Sequence, residues 1–377
     1  MNDNKRIVIK IGSRLIADER RMLNEKFISQ LAADIARLRS AQYDVVVVSS
    51  GAVSSGRALL KTEQINIAAP QGEGRLVQEQ VLAAIGQPNL IVAYQKALAP
   101  HQLLPAQILV TRADFANRER YLSMRTVTEN LLRLGAIPIM NENDVLSTEE
   151  LDFSDNDQLS CMMAAMISAE ILIILTDVPG IFDKPPTAPG ATLLKEVKDI
   201  EDLRANVSST TSSVGKGGMQ SKVATADLIT TLGIPMRVAN GFDKNVVSRI
   251  VLENEPLGTF FPPQGKRLSR RKAWIGAGAA SKGEIVVSTY LADLLRNRRV
   301  SSILLRGVES VSGNFEKGDV VTILDDDGTE LGRGIVKYDA KELATHIVER
   351  QSSVQESVRT AGGEKIVVHY DYFVFFS

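Results

Sequence analysis

Residues Asp44–Gly56, DVVVVSSGAVSSG, join a β-branched run to a tail of serines and glycines. The run Asp44–Val48 has the length and composition of a buried strand. Small residues at the carboxyl end of a parallel strand put backbone amides and hydroxyls into the crevice where open α/β sheets bind ligands. Upstream, Asn24–Ser40 carries Phe27, Ile28, Leu31, Ile35 and Leu38 at helical spacing, and Arg6–Ile11, RIVIKI, is a second apolar run. Strand, helix, strand in that order predicts a right-handed parallel unit.

Working outward, the first strand runs into Gly12-Ser13, where backbone N–H groups can turn toward a phosphate. Lys10 lies one residue before the strand ends. A lysine in an apolar parallel strand is costly unless its ammonium reaches an anion, which makes Lys10 a candidate anion ligand. Further helices are expected over Arg75–Ala99, with a break at Gly86-Gln87-Pro88, and over Arg118–Leu134. Strands are expected at Ala106–Thr111, Ala136–Met140 and Glu170–Leu175. The pattern predicts an α/β domain built on an open, mostly parallel sheet flanked by helices.

Beyond the Ala136–Met140 strand come Asn141–Asp144, NEND, and Leu151–Asp157, LDFSDND. Carboxylates and carboxamides this dense at a strand end can hold an ammonium group, hold a metal, or orient other site groups. A solvated acidic loop is the bland alternative. The next strand ends in Thr176-Asp177, and Ser213–Lys222, SVGKGGMQSK, is a Gly-rich turn feeding a helix. Such a turn suits an anion and serves equally as a plain flexible loop. No GxxxxGK[ST] occurs and no GxGxxG follows the first strand, which excludes a P-loop fold and a dinucleotide-binding Rossmann enzyme.

The 377 residues predict two domains. A formal net charge of −1, from 44 basic and 45 acidic residues, supplies no global field toward nucleic acid or a membrane. Cys161 is the single cysteine and cannot form an internal disulfide. MNDNKR leads into a strand without an apolar signal region, and no apolar run reaches the roughly 18 residues of a membrane span. A cytoplasmic enzyme or binding protein is expected.

VIKIGS, VVSSGAVSSG, AIGQPNL, NENDV, the DND triplet, LTDVPGIF and GKGGMQSK stand in the order and spacing of the amino-acid kinase family, which residues 1–260 resemble. The resemblance implies ATP-dependent phosphorylation of a carboxylate, carbamate or phosphate. It lies nearest to members that act on the γ-carboxylate of L-glutamate, in the first step toward proline. The resemblance implies that Lys10 and Lys222 neutralise the transferring phosphoryl group and that Asp157 holds both lysines. Ser50, Asp144 and Asn156 match glutamate-binding positions, with Asp144 on the α-ammonium and the groups near Ser50 and Asn156 on carboxylate. Lys10, Thr176, Asp177, Lys216, Gly217, Gly218, Met219, Gln220, Ser221 and Lys222 match nucleotide-binding positions. Mg²⁺ would ride on the nucleotide phosphates, with no protein metal ligands. Proline as a feedback inhibitor, a glutamyl phosphate reductase downstream and a homo-oligomer are further implications.

Four features depart from the family pattern. Ser154 stands for glycine, Lys216 for threonine and Phe182 for tyrosine, and the loop Asp183–Gly190 is about one residue short. These bear on nucleotide affinity more than on the reaction.

A linker is expected at 261–273, where two prolines and a glycine precede five basic residues between Lys266 and Lys272. From Trp274 to Ser377 the chain turns to short strands and Gly-rich turns, with Gly318-Asp319 and Asp327-Gly328 as turn signals. This part resembles a PUA domain, a small β pseudo-barrel otherwise found in RNA-modifying enzymes. RNA binding through the basic stretch stands against its reading as an ordinary linker. Two other functions stay open: a different carboxylate or phosphate kinase of the family, and an RNA-binding regulator with an inactive kinase domain.

Overall fold

The computed structural model describes residues 4–17, 22–65, 74–146, 156–184, 188–200, 203, 218–297, 302–352 and 365–376. The chain divides into two compact units, Met1–Lys266 and Arg267–Ser377.

In the first unit the apolar runs become strands β1 (Lys5–Ile11), β2 (Tyr43–Ser49), β3 (Pro105–Val110), β4 (Ile137–Glu142), β5 (Ile171–Thr176), β6 (Met236–Asn240) and β7 (Thr259–Phe261). They form one sheet in the order β3-β4-β2-β1-β5-β6-β7. β1 to β6 are mutually parallel and β7 is antiparallel to β6. The chain leaves β1 toward β2 on one side and returns to β5 on the other. That reversal opens a crevice at the carboxyl ends of the central strands.

Strand alternation assigns the two faces. Ile7, Ile9 and Ile11 of β1 join a fully buried cluster with Val45 and Val47, with Phe27, Ile28, Leu31 and Ile35 of α2 (Glu25–Ser40), and with Leu90 and Tyr94 of a later helix. Asn24 caps α2, its side chain accepting from the Phe27 N–H at 3.1 Å. Lys10 points to the opposite face.

Among the described residues, further α-helices of this unit are α1 (Ser13–Ile16), α3 (Ala52–Thr62), α4 (Gly74–Leu98), α5 (Arg112–Ala116), α6 (Arg118–Arg133), α7 (Asn156–Ile167), α8 (Met219–Thr231) and α9 (Val246–Leu252). The break expected at Gly86-Gln87-Pro88 does not occur, and α4 runs through Pro88. Packing decides this. A Cβ on Gly86 would lie 1.9 Å from the Ala52 carbonyl oxygen, and one on Gly56 would lie 1.9 Å from that of Leu82. The two glycines let α3 and α4 touch backbone to backbone, and that contact outweighs the loss of one helical hydrogen bond at proline.

The second unit contains α10 (Arg270–Ala273), β8 (Gly283–Val287), α11 (Thr289–Arg296), β9 (Ile303–Leu304), β10 (Val308–Gly313), β11 (Val320–Leu324), β12 (Glu330–Val336), α12 (Ala340–Ser352) and β13 (Ile366–Phe375). The strands make a six-stranded sheet in the order β10-β8-β11-β12-β13-β9. Its core includes Ile285, Val287, Leu291, Phe315, Ile323, Val336, Leu343 and Val368. Both turn signals hold glycine at positive φ, +98° at Gly318 and +82° at Gly328. The two longer helices were not anticipated, although Ser288 and Asp339 stand at their starts and accept from the N–H groups of Leu291 and Glu342. Of the basic stretch, Arg271 lies 5.0 Å from the Tyr372 ring centre and Lys272 4.0 Å from that of Tyr370, so both help pack this unit. No helix among the described residues is long and apolar enough to cross a membrane.

Candidate active site

β1 ends against β2 and β5 in register, with Ile11 opposite Ser49 and Leu175. The groups that follow these strands therefore converge: Gly12, Ser50 and Asp177. Gly51 turns the chain from β2 into α3 at φ +116°, and a Cβ there would strike Ile16 at 2.4 Å. Only glycine suits that corner.

On the α7 face Lys10 Nζ lies 2.5 Å from Asp157 Oδ1, and Lys222 Nζ of α8 lies 3.2 Å from Asp157 Oδ2. All three are buried, Asp157 completely. Burial alone would push the Asp157 carboxyl up, but the two ammonium groups more than reverse this and hold it below the usual carboxylate range. Its place in the first turn of α7 adds the favourable helix N-terminal field. Two ammonium groups thus flank one buried carboxylate, so a phosphoryl group that reaches them meets donors already held in place.

Asn156, beside Asp157, donates from Nδ2 to Ser50 Oγ at 2.8 Å and to Asn141 Oδ1 at 3.1 Å. Asn141 in turn donates to Gln87 Oε1 of α4 at 2.9 Å. Asp144 lines an adjacent cleft of about 350 Å³ together with Gln87, Glu142 and Asn143. On the other side of β1, Thr176 Oγ1 donates to Asp177 Oδ1 at 3.2 Å, and Arg14 Nη1 pairs with Asp177 Oδ2 at 2.9 Å. Desolvation raises the Asp177 carboxyl pKa, yet the Arg14 bond and neighbouring donors hold it below the ordinary value. Gly218, which has no side chain to cap with, is the N-cap of α8. The first-turn amides around Met219, Gln220 and Ser221 begin a 13-residue helix at the phosphate-suited end.

Of the sequence-predicted residues, the structure joins Lys10, Asp157 and Lys222 directly, joins Ser50 with Asn156, and joins Thr176 with Asp177. Lys216, Gly217 and Ser154 lie outside the described residues, and Phe182 forms a bridge with Leu193. Arg14, Asn141 and Gln87 were missed as partners of the site residues, through their bonds to Asp177, Asn156 and Asn141. Asn141 and Gln87 sit within motifs already singled out, so a polar side chain inside an otherwise apolar strand or helix was the signal.

Residues 5–240 match the amino acid kinase family and residues 283–355 the PUA domain. Over 98% of its length the chain is 37% identical to a glutamate 5-kinase of Rhizobium etli strain CIAT 652, covering 92% of that protein. It is 38% identical to a glutamate 5-kinase of Citrifermentans bemidjiense over 98% of its length, covering 97% of that one. The chain belongs to the glutamate 5-kinase family. Its first unit has the amino acid kinase fold, and its second unit carries a C-terminal PUA domain. Among solved structures, carbamate kinase from Giardia lamblia bound to AMP-PNP superposes with a TM-score of 0.51 at 19% identity, over 70% of this chain and 99% of that one. That likeness concerns the fold. The glutamate 5-kinase family match runs through both units, since the aligned length exceeds either alone.

Proposed function

We propose that this chain transfers the γ-phosphoryl group of ATP to the γ-carboxylate of L-glutamate, giving γ-glutamyl phosphate and ADP, the first step toward proline. The observation that carries the reading is the buried Lys10–Asp157–Lys222 cluster at the carboxyl ends of the strands.

A carboxylate with an ordinary pKa near 4.3 is ionised at pH 7 and attacks without a general base. Its oxygen bonds to the γ-phosphorus as the bond to the β–γ bridging oxygen breaks, and that electron pair leaves on ADP. What the protein supplies is alignment and charge neutralisation. Lys10 reaches the transferring group from the β1 side and Lys222 from the α8 side. Asp157 positions both. Thr176, Asp177 and the start of α8 from Lys216 onward take the nucleotide, with Lys216 and Gly217 assigned by resemblance alone. Ser50, Asp144 and Asn156 take glutamate.

Mg²⁺ fits the phosphates better than the protein here. Both Asp157 oxygens face ammonium groups and Asp177 faces Arg14, so the site's central carboxylates are already neutralised. Bound to the phosphate oxygens, the ion would supply further charge neutralisation. Proline, sharing the amino-acid head group of glutamate, is proposed to compete at the glutamate site.

A coupled ADP-release assay against a panel of amino acids tests the reading. Glutamate-dependent turnover is expected. Equal turnover with aspartate, carbamate or a phosphate acceptor would replace it with another kinase of the fold.

A further inference from the structure

The carboxamide chain around Asn156 has a direction, and we propose that Gln87 helps to hold it. Gln87 is a positioning residue that turns the Asn156 side-chain oxygen toward the ammonium group of the amino-acid substrate. The inference rests on the glutamate-kinase reading and deepens it.

The direction follows from one backbone group. Glu142 N–H donates to Asn141 Oδ1 at 2.9 Å, which settles which end of Asn141 is oxygen. Asn141 Nδ2 therefore faces Gln87, and it donates to Gln87 Oε1 at 2.9 Å. Asn141 Oδ1 takes a second hydrogen from Asn156 Nδ2 at 3.1 Å, and the other Asn156 hydrogen goes to Ser50 Oγ at 2.8 Å. An amide nitrogen has two hydrogens, so Asn156 has none left to give. Its Oδ1 is buried and accepts from no donor among the described residues.

A buried acceptor without a donor is costly until a donor arrives. Glutamate offers two carboxylates, which only accept, and one ammonium, which only donates. Asn156 Oδ1 therefore fits the ammonium. Ser50, already accepting from Asn156, keeps its own hydrogen to donate to a carboxylate oxygen. The two neighbours thus present opposite polarity, and this reverses the expectation that Asn156 helps hold carboxylate.

Two groups hold Asn141 in this orientation, the Glu142 N–H from the oxygen side and Gln87 from the nitrogen side. Asn141 is 2% exposed. Without the Gln87 oxygen its Nδ2 becomes a buried donor with no acceptor. Rotation relieves that, but it sets one NH₂ against another and turns Asn156 in consequence. A turned Asn156 presents hydrogens where the ammonium has to sit.

The test is a double-mutant cycle on the full chain, read as KM for glutamate and for ATP by ADP release. Gln87→Leu is expected to raise the glutamate KM about tenfold with the ATP KM within about twofold, the scale of one buried polar group left unpaired. In an Asn156→Ala background the same change is expected to add less than about twofold, because the residue it acts through is gone. Gln87→Glu keeps an oxygen facing Asn141 and is expected to stay within about threefold of wild type. Should Gln87→Leu not fold, Gln87→Met, which keeps the side-chain length without the amide, takes its place in the cycle. Equal effects in both backgrounds, a parallel rise in the ATP KM, or a folded Gln87→Glu as impaired as Gln87→Leu would overturn the role. A wild-type chain with no glutamate-dependent ADP release would instead sink the kinase reading itself.

Discussion

Lys10 and Asp157 meet at 2.5 Å in a place where Lys10 is 4% exposed and Asp157 not at all, and Lys222 takes the other carboxylate oxygen. The three groups act as a unit. Lys10→Ala and Lys222→Ala are each expected to lower turnover by roughly 100-fold, because each removes a preorganised charge from the transferring phosphoryl group. Asp157 keeps the other lysine in either variant, so the stability loss is expected to stay below the roughly 3 kcal/mol of a buried pair broken outright. Single-turnover rates and urea unfolding check the two effects separately. Near-normal turnover in either variant would remove that lysine from the mechanism.

Asp144 lies beside the cleft next to the Asn141–Asn156 chain. Asp144→Asn keeps the shape and removes the charge proposed to face the substrate ammonium. The glutamate KM is expected to rise by about tenfold or more, with the ATP KM within about twofold. A defect confined to ATP would move Asp144 to the nucleotide side.

The contact between Gly56 and Gly86 has no room for a methyl group. Gly86→Ala is expected to destabilise the first unit by about 1–3 kcal/mol despite the better helix propensity of alanine. A thermal melt of the full chain checks this. An unchanged or raised melting temperature would show that α3 and α4 separate at little cost.

The Asp177 carboxyl is held below its ordinary pKa in the folded chain, the Arg14 bond outweighing desolvation. A depressed carboxylate contributes stability above its unfolded pKa and loses it as pH falls through the lower folded value. The stability difference between wild type and Asp177→Asn is therefore expected to be constant from about pH 8 down to about pH 5 and to shrink below about pH 4. Urea midpoints measured across that range test the sign. A difference that grows on acidification would contradict it.

A chain ending at Lys266 is expected to fold and keep glutamate-dependent ADP release, since every assigned site residue lies before that point. A soluble, folded and inactive truncation would show that the second unit contributes to the site.

Local pattern made much of this protein legible before any coordinates. β-branched runs such as Asp44–Val48 and helical spacing such as Phe27–Leu38 depend on neighbours in the chain, and β2 and α2 formed where those patterns lie. Lys10 stood out because a cation in an apolar strand requires an anion. Tertiary packing decided what no local pattern carries. Gly86-Gln87-Pro88 has the composition of a break, but α3 lies against it and the helix continues. The polarity of Asn156 depends on Glu142, Asn141, Gln87 and Ser50, four residues from two elements and a loop. The amide of an asparagine has two ends of nearly the same shape, so only the surrounding donors and acceptors, brought together by folding, determine which end meets the substrate.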